Sequence, residues 1–241
     1  MPTSSVLGNR GRFITLEGGE GAGKSTQLRR LNAALNSSDL TGEIDQSALL
    51  ARDLMKKISP DTPSILKTRE PGGSPGAEEI RALLVNGEPG RWSCLTEALL
   101  HFAARRDHVE RTIWPALDAG YWVVCDRFFD STMAYQGYGL GLDHGVIKSL
   151  RQITLGNFQP DLTVILDIDV EIGLKRAAAR HGGEDRYEKM DLAFHQRMRE
   201  GFLEIANQEP RRCVVVDADA DPDTVQARIW DAVSSRLGLM S

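Results

Sequence analysis

The feature that most restricts the fold is the stretch at residues 13–26, which reads FITLEGGEGAGKST. Its first four residues are apolar or β-prone and predict a short buried strand. The pattern G-x-x-x-x-G-K-S begins at Gly18, and leucines at helical spacing follow it. A strand, a glycine-rich loop and a helix in this order are the context that a phosphate-binding loop requires. The sequence therefore predicts a chain that binds a nucleoside triphosphate with Mg²⁺.

Each residue type in this loop has a physical role. Glycines let the backbone curl so that its N–H groups point at a polyphosphate. Lys24 places a compact charge on the β- and γ-phosphates, and the hydroxyl of Ser25 is a Mg²⁺ ligand. The predicted ATP site consists of Gly18, Gly19, Glu20, Gly21, Ala22, Gly23, Lys24, Ser25 and Thr26. The loop alone leaves a kinase, a switch and a motor open.

Composition excludes several other classes of protein. The net charge of −5 gives no global attraction to nucleic acid or to an anionic membrane. Three scattered cysteines without C-x-x-C spacing argue against a disulfide framework or a zinc site. We find no signal-peptide core at the start and no run long enough to span a bilayer, and we expect a cytoplasmic location.

Apolar strands alternate with helical stretches, which predicts an α/β fold with a parallel sheet of about five strands and helices on both faces. The expected strands lie at residues 13–16, 64–67, 121–125, 162–166 and 213–216. We expect a flexible tail at 1–11 and a single domain at 12–241, with an insertion around 36–65 and a lid around 176–188. Within the insertion, apolar spacing predicts a surface helix at 44–58. The long helical stretch at 95–119 is expected to bend near Pro115.

Charged residues follow the predicted strands, where such sheets bind ligands. Arg69 and Arg127 end different strands, so both can converge on one anion, such as the phosphate of a monophosphate acceptor. Asp126 ends an apolar run at the point where a phosphate-loop enzyme places a Mg²⁺-organising carboxylate. The alternative for each arginine is a solvated surface charge.

Two further features have two interpretations each. Glu20 would repel phosphates unless it points away, so it either faces an acceptor's hydroxyl or is an exposed loop residue. The run RAAARHGGEDR carries Arg176, Arg180 and Arg186. It is either an arginine lid over a phosphoryl-transfer site or a solvated helix end.

Five stretches together resemble the thymidylate kinase family, which makes dTDP from dTMP. They are EGGEGAGKST at 17–26, TREPGG at 68–73 with AEEIRALL at 77–84, FAAR at 102–105, DRFFDSTMAYQG at 126–137, and PDLTVILDID at 160–169 with the arginine-rich run after it. Many enzymes share the phosphate loop, whereas TREPGG and DRF…STxAYQG at this spacing are far more specific. The resemblance covers roughly residue 12 to the C-terminus. It implies the P-loop nucleoside monophosphate kinase fold with a short arginine-rich lid.

The resemblance implies Mg²⁺-assisted transfer of phosphate from ATP to dTMP on the route to dTTP. It makes Arg69 and Arg127 the clamp on the dTMP phosphate and Arg105 the partner of the thymine ring. The implied nucleoside contacts are Phe102, Thr132, Tyr135 and Gln136, with Tyr135 standing where a ribose 2′-hydroxyl would be. The implied catalytic residues are Glu20, Lys24, Arg127, Arg180 and Arg186, and the implied Mg²⁺ residues are Ser25 and Asp126.

Two subtypes of the family differ in where the catalytic arginine lies. This loop has no arginine, and the lid has Arg180 and Arg186, so the chain is similar to the bacterial lid-arginine type. The family is usually a homodimer packed through helices, which the stretch at 95–117 would supply. It commonly has a Phe four residues before the thymine-binding arginine. That spacing from Arg105 gives His101, and from Arg106 it gives Phe102, so which ring stacks on the base stays open.

Two competing functions remain. The first is a related kinase for a deoxynucleoside or another monophosphate, because base selectivity rests on the resemblance. The second is a regulatory switch or ATPase, which would hydrolyse triphosphate without an acceptor. The pair of acceptor arginines and the arginine-rich lid argue against the second.

Overall fold

A computed structural model describes residues 10–37, 43–44, 65–88, 90–179 and 186–239. The strands are β1 (Phe13–Gly18), β2 (Glu43–Ile44), β3 (Ile65–Arg69), β4 (Trp122–Asp126), β5 (Leu162–Asp167) and β6 (Cys213–Asp217). The helices are α1 (Lys24–Ser37), α2 (Pro75–Val85), α3 (Cys94–His108), α4 (Trp114–Asp118), α5 (Phe129–Thr132), α6 (His144–Leu155), α7 (Val170–Ala178), α8 (Leu192–Gln208) and α9 (Pro222–Leu237). Two π-helical segments, Val109–Ile113 and Met133–Gly139, follow α3 and α5.

Within these ranges the strands form one parallel sheet in the order β2-β3-β4-β1-β5-β6. The central strands β1, β4 and β5 are buried along most of their length because helices cover both faces. Along β4, Val124 packs with leucines of α1 and with α9, whereas Val123 and Cys125 pack on the other face with α3 and α6. The predicted parallel α/β sheet with two helical layers is confirmed.

The sheet differs from the prediction at one edge. The two-residue strand Glu43–Ile44 pairs with β3 and makes a sixth strand, where the sequence predicted about five. The predicted helix at 44–58 begins inside this strand, and the rest of it lies outside the described residues, as do 1–9 of the predicted tail. The domain boundaries stay a prediction.

The long helical stretch contains an irregular turn where a bend was expected. The π-helical segment Val109–Ile113 separates α3 from α4, and the N–H of Trp114 bonds to the carbonyl of Val109. The next residue, Pro115, lacks an N–H, and its ring would clash with the carbonyl four residues earlier in a regular helix. The wider turn accommodates this proline.

Strand register brings the predicted site residues to one edge of the sheet. Asp126 at the end of β4 lies opposite both Leu16 of β1 and Arg69 of β3. The segments that leave these three strands therefore start side by side. Among the described residues, none of the helices combines the length and the apolar character needed to cross a membrane.

Candidate active site

A cavity of about 410 Å³ opens at this edge. The predicted site residues that line it are Glu20, Gly21, Ala22, Gly23, Lys24, Ser25, Arg69, Arg105, Asp126, Arg127, Thr132, Tyr135, Gln136 and Arg186. Gly18 and Gly19, the first residues of the loop, line a smaller cavity instead. Of the remaining predictions, Thr26 and Phe102 are not part of the large cavity's wall as described. Arg180 lies outside the described residues.

The phosphate loop has the conformation that its glycines predict. Gly21 has a φ of 66°, and a Cβ there would lie 1.9 Å from the carbonyl oxygen of Gly173, so glycine is required. The Nζ of Lys24 donates to the carbonyls of Gly18 at 2.9 Å and Gly19 at 2.7 Å. Burial, together with the nearby charge of Arg127, lowers the pKa of Lys24 to about 8. A polyphosphate on the loop would favour the charged form of Lys24 again.

Glu20 turns towards the cavity's cationic side and is not an exposed loop residue. Its Oε1 accepts hydrogen bonds from the hydroxyl of Tyr135 at 2.6 Å and from Nη2 of Arg127 at 3.1 Å. Burial alone would raise its pKa, but the charges of Arg127 and Lys24 hold the pKa of Glu20 at about 2. The carboxylate is therefore charged and placed between the loop and the predicted acceptor side.

Arg127 is held in a backbone conformation that residues other than glycine rarely adopt, with a φ of 69°. Such a conformation costs about 1–3 kcal/mol and persists only where neighbours enforce it. Here Glu17 accepts from the N–H of Phe128 and from the hydroxyl of Ser131, both at 2.6 Å. Burial raises the pKa of Glu17 to about 8. This clamp aims the guanidinium at the loop, where Nη1 donates to the carbonyl of Gly18 at 3.3 Å.

Arg69 approaches the same cavity from the end of β3. It is half-exposed and pairs with Glu78 at 3.2 Å. The structure therefore brings both predicted phosphate-binding arginines to one cavity, with Arg127 mostly buried and Arg69 half-exposed. The alternative that Arg127 is a solvated surface charge is wrong, because its side chain is only 19% exposed.

Ser25 and Asp126 form a pair suited to Mg²⁺. The hydroxyl of Ser25 donates to Oδ2 of Asp126 at 3.2 Å. The other oxygen, Oδ1, is buried and has no hydrogen-bond partner within the part of the chain that the structure describes. A search of the same residues finds no cluster of three or more His, Cys, Asp or Glu. Mg²⁺ commonly takes only one or two protein ligands and completes its shell with phosphate oxygens and water, so this pair fits the ion.

At the other end of the cavity, Arg105 presents an unused donor. Its Nε donates to Glu70 at 2.6 Å, and its Nη2 donates to the carbonyl of Phe128 and the hydroxyl of Thr132, both at 3.1 Å. Its Nη1 is buried and unpartnered among the described residues. Because a buried donor without a partner is costly, this nitrogen is a strong candidate for contact with a ligand.

The prediction that Phe102 lines the nucleoside pocket is wrong in this structure. Phe102 is 1% exposed and packs in the core beneath Arg105, whose guanidinium carbon lies 4.8 Å from the centre of its ring. His101 lines the cavity in its place. Burial, aided by the charge of Arg105, lowers the pKa of His101 to about 3, so the cavity presents a neutral imidazole.

The predicted lid arginine Arg186 is anchored at the cavity wall. It is 3% exposed, forms a buried ion pair with Glu97, and donates to the carbonyl of Leu84 at 2.8 Å. Arg176 binds Ala218 and Asp219 and does not reach the cavity wall as described. Arg186 therefore lies beside Gln136 and Glu97, rather than over the phosphate loop.

Sequence reasoning missed three buried carboxylates that hold the site together. Glu17 supports Arg127, Glu70 supports Arg105, and Glu97 contacts both Gln136 and Arg186. Sequence offers one signal for Glu17 and Glu70: each lies where a strand ends at the site, Glu17 near the end of β1 and Glu70 directly after β3. Glu97 lies in a helix, where a charge ordinarily faces water.

Comparison with known proteins places these features in one family. Residues 48–229 match the family model described as thymidylate kinase. A protein from Caulobacter vibrioides named "Thymidylate kinase" is 53% identical over 230 residues, which cover 95% of this chain and 99% of that protein. One from Bradyrhizobium sp. with the same name is 47% identical, over 95% of this chain and 92% of that protein. The crystal structure of thymidylate kinase from Ehrlichia chaffeensis is 31% identical, with a TM-score of 0.68 over 93% of this chain and 99% of that one.

Proposed function

This chain belongs to the thymidylate kinase family and phosphorylates dTMP with ATP, and we propose that the transfer takes place in the cavity at the sheet edge. One observation carries the proposal: a phosphate-binding loop and two arginines from the ends of different strands meet in a single cavity. The loop suits the donor triphosphate, and the arginines suit the phosphate of an acceptor.

The chemistry needs little from a general base. The attacking oxygen of dTMP is already anionic, so the protein's tasks are positioning and stabilisation of charge. In our proposal Lys24 and the loop N–H groups hold the ATP phosphates, while Arg69 and Arg127 hold the acceptor phosphate. Glu20 approaches the 3′-hydroxyl of the acceptor sugar, and Tyr135 occupies the space that a 2′-hydroxyl would need.

We assign Mg²⁺ to Ser25 and Asp126, on the strength of the unpartnered carboxylate oxygen. The ion supplies neutralisation of the charge on the β- and γ-phosphates when it is bound. Asp126 at the end of β4 lies in register with Arg69 at the end of β3, so two neighbouring strand ends serve the metal and the acceptor.

Asp126→Asn is expected to raise the Mg²⁺ concentration needed for half-maximal turnover by about tenfold or more, since even changing a residue that only supports a metal ligand typically costs about 10–100-fold in metal affinity. Turnover at fixed ATP and dTMP, measured against free Mg²⁺, tests this. Asp217→Asn makes the same change at the end of β6, in an exposed pair with Arg228, and should leave the curve unchanged. A normal Mg²⁺ dependence in Asp126→Asn would remove Asp126 from the metal site.

The lid, assembly and location remain proposals. We retain Arg180 and Arg186 as lid arginines, although the buried pair with Glu97 ties Arg186 to the nucleoside side. A homodimer packed through helices is supported by the exposed apolar residues Leu95 and Leu99 of α3 and Ile153 of α6, which is 79% exposed. A cytoplasmic location is supported by the cysteines, all of which are free thiols.

An ADP-release assay with Mg-ATP tests the proposed function. We expect slow release without acceptor and fast release with dTMP, and lower rates with dUMP, dCMP, dGMP and AMP. Release that ignores every acceptor would support a switch or ATPase instead. Preference for another monophosphate would keep the phosphate loop and overturn the assignment of Arg105 and Gln136.

A further inference from the structure

Glu97 lies behind the cavity wall and has no role in the mechanism above. It is 2% exposed and receives hydrogen bonds from three side chains. Nε2 of Gln136 donates at 3.2 Å and the hydroxyl of Tyr187 at 3.1 Å, and the guanidinium of Arg186 forms an ion pair with it. The carboxylate thus joins α3 to the π-helical segment that carries Gln136 and to Arg186 and Tyr187 near the end of the predicted lid range.

These contacts determine the orientation of the side-chain amide of Gln136, that is, which of Nε2 and Oε1 faces Glu97. A carboxylate that is paired with a guanidinium can only accept hydrogen bonds. Tyr187 gives its proton to Glu97, so its oxygen accepts from Nε2 of Gln136 at 2.9 Å. Glu97 and the oxygen of Tyr187 both accept, so the amide of Gln136 must present its NH₂ group to them. Turning the amide round would press its carbonyl oxygen against the carboxylate, so Oε1 is the atom left to face a ligand.

We infer that Glu97 determines which base the cavity accepts, by holding Gln136 with its carbonyl oxygen available to the nucleotide. The inference rests on the proposed function. Oε1 of Gln136 accepts from a ring N–H, and Nη1 of Arg105, the donor left without a partner among the described residues, donates to the neighbouring carbonyl oxygen. This pattern matches N3–H and O4 of a pyrimidine-2,4-dione. Cytosine has an acceptor at N3 and a donor at C4, which is the reverse pattern, so it cannot form either hydrogen bond.

Glu97 acts as a positioning residue, since it is absent from the cavity wall as described. The backbone of Gln136 is held separately, because the thiol of Cys94 donates to its carbonyl oxygen at 3.4 Å. Arg105 is held by a different carboxylate, Glu70. A change at Glu97 can therefore free the amide of Gln136 to rotate without releasing Arg105. Recognition of N3–H by Gln136 can thus be tested separately from recognition of O4 by Arg105.

O4-methyl-dTMP isolates the Gln136 half, because it keeps an oxygen at C4 while its N3 becomes an acceptor. The wild-type protein should strongly prefer dTMP to this analogue. In Glu97→Gln the amide of Gln136 can turn, so we expect the ratio of kcat/KM for dTMP over the analogue to fall about tenfold, the value of one hydrogen bond. The ratio is unaffected by the fraction of folded enzyme, so a purely structural role for Glu97 would not move it.

Glu110→Gln is the matched control, since Glu110 lies just beyond the end of α3, is exposed, and pairs with Arg106. Its ratio of kcat/KM for dTMP over O4-methyl-dTMP should equal that of the wild type. An unchanged ratio in Glu97→Gln, with dTMP still phosphorylated, would overturn the inference and leave the proposed function intact. Failure of the wild type to phosphorylate dTMP would overturn both.

A second variant covers the case in which Glu97→Gln does not fold because Arg186 loses its partner. Glu97→Gln combined with Arg186→Met removes both buried charges. If Arg186 also acts on ATP, its loss slows the reaction with both acceptors equally and cancels in the ratio of kcat/KM. The same roughly tenfold fall is expected, from the same single hydrogen bond. An unchanged ratio in the double variant would equally overturn the inference.

Discussion

Lys24→Met is expected to lower kcat on the order of a thousandfold, the upper range for removing one charge-stabilising donor. Methionine preserves the length and the apolar stem of lysine but removes its charge. The ammonium group is buried and bonded to the loop carbonyls of Gly18 and Gly19, so water cannot replace it. ADP release with saturating Mg-ATP and dTMP measures the loss.

The control for Lys24→Met is Lys148→Met, because Lys148 is exposed on α6 and should leave kcat unchanged. Thermal unfolding of both variants verifies that each is folded. Since the pKa of Lys24 falls to about 8 in the nucleotide-free protein through burial, loss of its charge should be tolerated by the fold. Turnover within tenfold of the wild type would contradict the assignment of Lys24 to the transferred phosphate.

Arg127→Ala is expected to raise the KM for dTMP and lower kcat, with kcat/KM falling on the order of a hundredfold, as when one member of a buried charge pair is removed. The variant loses the buried cation that would hold the acceptor phosphate, and it also removes the ion-pair partner of Glu20, to which the hydroxyl of Tyr135 still donates. Steady-state kinetics against dTMP at saturating ATP test this. Normal kinetics would remove Arg127 from the site.

The backbone of Arg127 offers a matched comparison. Arg127→Gly removes the same side chain but suits the φ of 69°, so it should unfold at a higher temperature than Arg127→Ala. Both variants should lose dTMP activity equally, because activity follows the guanidinium and not the backbone. Unequal kinetic losses would mean that the strained backbone, rather than the charge, matters for turnover.

Much of the fold and the site follows from local sequence. The phosphate loop is contiguous, and its glycines, Lys24 and Ser25 have roles that neighbouring residues suffice to define. Arg69, Asp126 and Arg127 could be placed together because parallel strands end at one edge of a sheet. The sixth strand escaped prediction, since two residues carry no periodic signal.

The aromatic contact shows where the sequence stops being informative. On a helix, His101 and Phe102 are four and three residues before Arg105, and both spacings put a side chain beside it. Which of the two faces the cavity depends on the rotation of α3 about its own axis. That rotation is decided by packing against the sheet, and the structure buries Phe102 with Phe13 and Phe128.

The sequence by itself determined the phosphate loop, the parallel sheet and the convergence of arginines at its edge, because these depend on contiguous patterns and on where strands end. Only the tertiary structure decided which ring lines the cavity, and that Glu17, Glu70 and Glu97 are buried supports of Arg127, Arg105 and Gln136. A carboxylate's function depends on whether it is surrounded by water or by donors. Those donors come from segments distant in sequence, up to 114 residues away for Glu17, and only folding brings them together.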